Sequence, residues 1–585
     1  MSSGARHGGG SGSGGRRGTA PRRPSRRGGR SAGGSVRRTL DGRVRLLRIV
    51  FVVAFLAIGG KAIALTTADA HLSAIARDQQ VRTVVLPAQR GAIVDRDGVQ
   101  LAVAVAAKTV YATPYMLDDP RAAAHKLAAA LKLNWRRVYR AIDDPKSGFA
   151  YVDRQADPTL ADKATALGLP GVASYAEEKR VYPMNTVAAQ VVGFAGTDGH
   201  GLAGIEYLYD KQLAGTPGRQ VVVQDPAGQA LRVMQSVSPT QGQDVHLTID
   251  NGIQLMADHV LAETVRKYHA KGGTAIVENP KTGEIYAMSN VPLVNANRFG
   301  AAPAQQGNKA VIYSYEPGST FKMVTIAGAL SDGLVTPSTS FLLPPTLRVG
   351  DRTIHDAEKR GPERMTVRQI LAKSSNIGAV TIGWKRLGKQ RLLDWIYRFG
   401  FGRLTGIDFP GEVPGFVLPG DQWWSSTIGN VPMGQGISVT PIQMVAAYGA
   451  IANGGVMMKP YLTAQVGTRV TRPPSGRRIV SAKVARELRS MLSDVVADGT
   501  GTEAQIAGYV VAGKTGTAQK ALPNGGGYSK VNYVASFIGM VPAGDPQLVV
   551  AVVVDSPHPY WGGTVAAPAF RQIASYALQR LEIAP

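Results

Sequence analysis

The stretch Glu316-Pro317-Gly318-Ser319-Thr320-Phe321-Lys322-Met323-Val324 runs into an apolar segment ending near Leu330, and it decides how the rest of the 585-residue chain is read. The proline and glycine mark a helix start. That puts Ser319 at or just inside the N-terminus, where unpaired backbone N–H groups face outward. Lys322, three residues on, falls on the same helical face. A serine hydroxyl is a weak nucleophile until a base takes its proton, and a lysine whose ammonium is desolvated or crowded by another cation can be that base. Alone, the pair is common, and its bland reading is a capped helix with a surface lysine.

Two later stretches change the weighting. Lys373-Ser374-Ser375-Asn376-Ile377-Gly378 follows, and Val511-Ala512-Gly513-Lys514-Thr515-Gly516-Thr517-Ala518 stands near the C-terminus. The ordered trio S-x-x-K, S-x-N and K-T-G resembles the serine acyl-transfer set of penicillin-binding proteins and class A β-lactamases.

Composition bounds the alternatives. The length predicts two domains plus accessories. No cysteine is present, which removes disulfides, thiolate metal sites and a cysteine nucleophile. The nine histidines lack H-E-x-x-H or comparable spacing, so no metal and no cofactor are expected. A net charge of +25 invites a nucleic-acid reading, but 13 arginines and a single acid, Asp41, precede residue 49. That Gly/Ser/Arg leader cannot build a core, so residues 1–48 are expected to be a disordered basic cytoplasmic tail, with RNA contact as the rival reading.

The apolar run from Ile49 to Leu65, broken only by Lys61, predicts a transmembrane anchor over 49–67. Arginines crowd its N-terminal side, which puts the tail in the cytoplasm and the remainder outside. A cleaved signal with processing at Ala68-Asp69-Ala70 competes, and the long basic leader favours the anchor.

Residues 68–243 alternate helix-like pieces (121–133, 159–167) with short β-like runs and carry no catalytic set. Arg90 to Gly98 reads as a strand entering an Asp-Gly turn. Gly199-His200-Gly201-Leu202-Ala203-Gly204 matches the dinucleotide pattern G-x-G-x-x-G. Without a surrounding βαβ unit, its glycines are assigned to a turn before a helix-like stretch at 205–213. The region reads as a non-catalytic scaffold.

Residues 244–585 open with a strand at 245–250 and a helix. A hairpin turning at Pro280-Lys281-Thr282-Gly283 comes next. Helical stretches at 375–387 and 441–453 are expected in the middle. A strand at 509–512 leads into Lys514, β runs cover 533–540 and 548–555, and an amphipathic helix covers 567–581. Strands first and last with helices between predict an antiparallel sheet sandwiched by helices.

With Arg180-Val181-Tyr182-Pro183, Gly434-Gln435-Gly436 and Gly562-Gly563-Thr564 added to these motifs, nearly everything after the tail resembles the class B penicillin-binding proteins. Within them it is similar to the FtsI-type septal D,D-transpeptidases, and the leader resembles actinobacterial members. The resemblance implies a multidomain α/β mixed fold: a single N-terminal transmembrane helix, an elongated α+β pedestal of dimerisation type, and a penicillin-binding transpeptidase domain similar to serine β-lactamases. It implies that Ser319 attacks the D-Ala-D-Ala carbonyl of a peptidoglycan stem peptide and that Lys322, with Lys514 beside it, is the base. Ser374 would relay a proton and Asn376 would hold the substrate amide and Lys322. Backbone N–H groups of Ser319 and Thr517 would form the oxyanion hole, and Thr515, Gly516 and Thr517 would line the substrate and β-lactam site. It further implies membrane localisation at the division septum, with the SEDS-family glycosyltransferase FtsW and other divisome proteins as partners and no nucleic acid. An elongation-type transpeptidase, a hydrolase of the β-lactamase or carboxypeptidase kind, and a β-lactam sensor or scaffold without turnover are the rival readings.

Overall fold

The segment Leu548–Asp555 is apolar at every position but the last, the pattern of a strand covered on both faces. In the computed structural model, which describes residues 37–224, 230–301, 306–522 and 527–585, it lies in the middle of a five-stranded antiparallel sheet. The strands are β1 (Gly272–Glu278), β2 (Ile285–Val291), β3 (Ala512–Ala521), β4 (Tyr528–Val541) and β5 (Leu548–Asp555), in the spatial order β2-β1-β5-β4-β3. Helices α1 (Asn251–Lys267), α2 (Lys322–Ser331), α3 (Pro441–Ala452), α4 (Ala482–Ala497) and α5 (Gly562–Arg580) cover it.

Successive residues of β5 serve opposite cores. Val550, Val552 and Val554 join Ile253 and Leu261 of α1 and Phe570 and Ile573 of α5. Val549, Ala551 and Val553 join Val324 of α2, Tyr448 of α3, and Leu488 and Met491 of α4. Each fully buried side chain of this size contributes roughly 1.5–3 kcal/mol, so both faces are fixed against slippage. The expected sandwich of helices around an antiparallel sheet is therefore the fold.

Three elements around this sheet differ from expectation. Helix α5 starts at Gly562 rather than 567 and runs through Pro568, whose ring leaves the Thr564 carbonyl without its helical donor. The Tyr268 hydroxyl donates to that carbonyl at 3.0 Å, which is why the helix continues. The strand expected at 509–512 instead begins at Ala512 and carries Lys514, Thr515, Gly516 and Thr517 within it. Its glycines obscure it in the sequence, yet a Cβ on Gly513 would stand 2.6 Å from the Phe537 ring. The helix expected over 375–387 is an α-helix only over Asn376–Thr381 and widens to a π-turn over Ile382–Leu387, where Gly383 packs against the Pro432 ring.

Backbone contacts divide the chain into two compact units, Met1–Arg82 with Val222–Val233 and Thr83–Val221 with Met234–Pro585. The described part of the first holds a helix, Arg37–Gln80, whose apolar span Val44–Thr66 is long enough to cross a bilayer. Residues 37–48, expected to be disordered, are helical because arginine and leucine are good helix formers that extend the span. The rest of the expected tail lies outside the described residues.

In the second unit another sheet carries the pedestal. Its strands run Arg469–Val470, Thr463–Val466, Val245–Leu247, Ile93–Val94, Gln100–Ala112 and Ala150–Ala156, with Val172–Val181 also on Gln100–Ala112. Val245–Leu247, expected to open the second domain, pairs parallel to Ile93–Val94 and antiparallel to Thr463–Val466. Chain from both sides of position 244 thus shares this sheet.

A buried ionic knot sits beside it. Glu206, fully enclosed, accepts from Arg90 Nε at 2.9 Å, from Arg180 Nε at 2.6 Å and from the Tyr182 hydroxyl at 3.3 Å. Arg90 also pairs with Asp210 at 2.8 Å. Two of the three glycines of G-x-G-x-x-G are explained here. A Cβ on Gly201 would stand 1.8 Å from the Glu206 carbonyl oxygen, and one on Gly204 would stand 2.4 Å from that of Val191. Removing Glu206 strands two buried guanidinium groups. We therefore expect Glu206→Leu to lose about 3–5 kcal/mol of stability, read as a lowered Tm in thermal denaturation. An unchanged Tm would contradict this account.

Candidate active site

Gly318 adopts φ +56° and lets the chain turn sharply after Pro317, so that Gly318–Phe321 forms a 3-10 turn ahead of α2. Ser319 therefore lies on that turn, one turn before the α-helix, rather than inside it. The turn is pinned from two sides. Gly318 N–H donates to the Gly434 carbonyl at 2.9 Å, and the buried Tyr448 hydroxyl of α3 donates to the Thr320 carbonyl at 2.9 Å. Gly434 must be glycine, since its Cβ would stand 2.1 Å from the Gly318 oxygen.

Lys322, the first residue of α2, is completely buried. Its Nζ donates to Asn376 Oδ1 at 2.7 Å and to the Ser374 carbonyl, and meets Ser374 Oγ at 3.2 Å. Burial pushes its ammonium down to about 7, against a smaller opposing pull from the Asp356 carboxylate. Among the described residues its hydrogen bonds go to the S-x-N segment and none to Ser319 Oγ. Ser374 reaches the amine because it adopts φ +57°, a left-handed conformation unusual for a residue with a Cβ.

The K-T-G residues approach on β3. Lys514 is also completely buried, and its Nζ donates to Thr515 Oγ1 at 3.1 Å, to the Thr515 carbonyl at 3.2 Å and to Thr500 Oγ1 at 3.4 Å. Burial first, then the charge of Lys322, hold it well below the usual lysine range. Thr517 Oγ1 accepts from Gly562 N–H at 3.1 Å. Gly516 allows close contact: a Cβ there would meet Ser536 Oγ at 2.3 Å and the Pro317 carbonyl oxygen at 3.0 Å. Ser319, Lys322, Ser374, Asn376, Lys514, Thr515, Gly516 and Thr517 are thus brought together where the turn, the S-x-N helix and β3 meet. β3 is the outer strand of its sheet, so one side of its backbone has no neighbouring strand.

The sequence reading missed Asp356. Its carboxylate accepts from Asn376 N–H at 2.6 Å, Ile377 N–H at 3.0 Å, the Ser375 hydroxyl at 2.9 Å and Arg360 Nε at 2.6 Å. It caps the positive end of the short helix that presents Asn376 and fixes the residue that holds Lys322. No local pattern distinguishes it from Asp351 or Glu358 in the same polar loop. Only the tertiary approach of that loop to Ser375 does.

The penicillin-binding protein transpeptidase domain family matches residues 273–575, and the penicillin-binding protein dimerisation domain family matches residues 85–247. The chain is 36% identical over 530 residues to stage V sporulation protein D of Bacillus subtilis, covering 88% of this chain and 82% of that one. It is 35% identical over 554 residues to penicillin-binding protein PbpB of Mycobacterium tuberculosis, covering 87% and 81%. It is 33% identical over 522 residues to peptidoglycan D,D-transpeptidase FtsI of Escherichia coli, covering 87% and 86%. The crystal structure of penicillin-binding protein 3 from Mycobacterium tuberculosis complexed with aztreonam superposes with a TM-score of 0.68 at 32% identity, over 86% of this chain and 98% of that one.

Asp356→Ala removes the acceptor for three donors on the S-x-N segment. A destabilisation of about 1–3 kcal/mol is expected in thermal or denaturant unfolding, and stability equal to the parent protein would show that the cap is dispensable.

Proposed function

Because the chain belongs to the class B penicillin-binding proteins, we propose that it is a membrane-anchored serine D,D-transpeptidase that cross-links peptidoglycan stem peptides during septal wall synthesis and is acylated by β-lactams. The observation that carries this reading is the convergence of Ser374 and Asn376, 52 and 54 residues away in sequence, on the buried amine of Lys322.

With its ammonium destabilised by burial, Lys322 is neutral in a large fraction of molecules near neutral pH. A neutral amine donates two protons, to the Ser374 carbonyl and Asn376 Oδ1, and keeps a lone pair to accept one. Ser319 Oγ attacks the carbonyl carbon of the penultimate D-alanine, and its proton passes to Lys322. The oxyanion is held by the backbone N–H groups of Ser319 and Thr517, a contribution typically worth about 2.7–4 kcal/mol. Collapse breaks the D-Ala-D-Ala amide. The departing amine takes its proton through Ser374 from Lys322, leaving an ester on Ser319. An amine of a second stem attacks that ester, loses its proton by the reverse relay, and the new amide leaves as Ser319 Oγ is reprotonated. Lys514, with Thr515 and Thr517, faces the terminal carboxylate. The open edge of β3 accepts the peptide backbone as an added strand. In this reading the apolar helix is a single-pass anchor with its N-terminus in the cytoplasm, and FtsW and other divisome proteins are the partners.

Mass spectrometry of the full chain exposed to a penicillin tests the proposal. A long-lived adduct on Ser319, absent from Ser319→Ala, is expected, and rapid drug turnover or no adduct would overturn it. The acylation rate should rise with pH through about 7 as Lys322 loses its proton. The carboxylate of Asp356 raises the Lys322 pKa, so Asp356→Asn should move that midpoint to lower pH. A midpoint that stays fixed would separate Asp356 from the base.

A further inference from the structure

A cavity of about 380 Å³ on the transpeptidase fold takes no part in the chemistry at Ser319. It opens between the end of the helix Gly388–Arg398, the loop after it, α3, and the hairpin that pairs Val456–Met457 with Arg477–Arg478. Its inner wall is apolar. Phe399 and Ala446 are buried there, with half-buried Tyr397 and Met457 beside them. Such a recess holds a ring or hydrocarbon against the protein and gains about 25 cal/mol for each Å² of apolar surface taken out of water.

The charges on its lining are all positive. Arg403, Lys459 and Arg477 lie on the solvent side, exposed, and among the described residues none of them pairs with a carboxylate. Glu412, the acid of the adjoining loop, is taken up by the Thr405 N–H at 2.7 Å and the Gly406 N–H at 3.0 Å. Arg477 is set in place by its own hairpin, where it stands opposite Met457. Its Nη1 donates to the Arg398 carbonyl at 2.8 Å, and its Nη2 is 3.8 Å from Met457 Sδ, so the charge lies directly beside the apolar wall. Partial burial, then the charges of Arg398 and Arg403, hold its guanidinium below the usual arginine range. Like charges gathered without a counterion repel one another, and an anion entering among them relieves that repulsion.

We propose that this cavity binds a small soluble phosphate monoester, with the oxyanion among Arg403, Lys459 and Arg477 and a compact apolar body against Phe399 and Ala446. A carboxylate would leave two of the three cations unmatched. A phosphate monoester carries a charge of about −1.5 to −2 at neutral pH and has three acceptor oxygens, enough to meet two guanidinium groups and an ammonium together. Volume limits the body. Ligand pockets span roughly 300–1,000 Å³, and this one, near the lower end, has room for one or two rings but not for a pair of acyl chains.

Isothermal titration of the full chain in detergent with 1-naphthyl phosphate tests this, with 1-naphthoate and inorganic phosphate as comparators. Naphthyl phosphate is expected to bind at one site, about tenfold more tightly than either comparator. The double variant Arg403→Gln, Arg477→Gln should lose about tenfold in affinity. Lys459→Gln, whose amine makes no hydrogen bond among the described residues, should lose about threefold, and it decides the matter if the double variant fails to fold. Dihexanoyl phosphatidate, with the same phosphate on two acyl chains, should fail to displace the probe. Absence of saturable binding, equal affinity for naphthoate, or undiminished affinity in the folded variants would overturn the proposal. Displacement by dihexanoyl phosphatidate would overturn it too, by assigning the site to lipid headgroups.

Discussion

Two lysines share one buried site, and most of the surrounding architecture answers to that fact. Lys322 and Lys514 are both fully enclosed, and each would repel the other if both were charged. An enclosed ammonium is tolerated only when hydrogen-bond acceptors surround it or when it gives up its proton. The Ser374 carbonyl and Asn376 Oδ1 supply the acceptors for Lys322, and the Thr515 carbonyl and hydroxyls of Thr500 and Thr515 supply them for Lys514. The left-handed backbone of Ser374 is strained, and it persists because the buried helix Val367–Ala372 before it and the Asp356-capped helix after it hold both sides.

The sheet explains how distant motifs can meet within hydrogen-bond range. β5 and β1 are buried on both faces and fix the frame, while β3 is left at the edge with its outer backbone side unpaired. Exposed edges invite aggregation, and here the nucleophile turn and the start of α5 approach the edge closely enough that Gly318, Gly516 and Gly562 have no room for a Cβ.

Much of this was legible in the chain itself. S-x-x-K, S-x-N and K-T-G are short, ordered and chemically distinctive, so Ser319, Lys322, Ser374, Asn376 and Lys514 could be named before any coordinates. The period-2 character of the sheet was less visible, because a strand such as Leu548–Asp555 that is covered twice shows no alternation. The strand carrying Lys514 was misplaced because glycine lowers strand propensity and its reason for being there, the Phe537 ring, comes from another strand. Pro568 hid the first turn of α5 for a similar reason, since the Tyr268 hydroxyl that rescues it lies 296 residues away.

By itself, then, the sequence determined which motifs carry candidate chemistry, with their hydroxyl, amines and amide, as well as the apolar span and the layering of helices on strands. These follow from residue type and from spacings within one or two helical turns, and local physics is enough to read them. The tertiary structure alone decided that burial pulls both lysines below their usual range, and which of several acidic residues caps Asn376. Each depends on burial or on a partner far along the chain, and neither solvent exclusion nor long-range approach leaves a local mark in the order of residues.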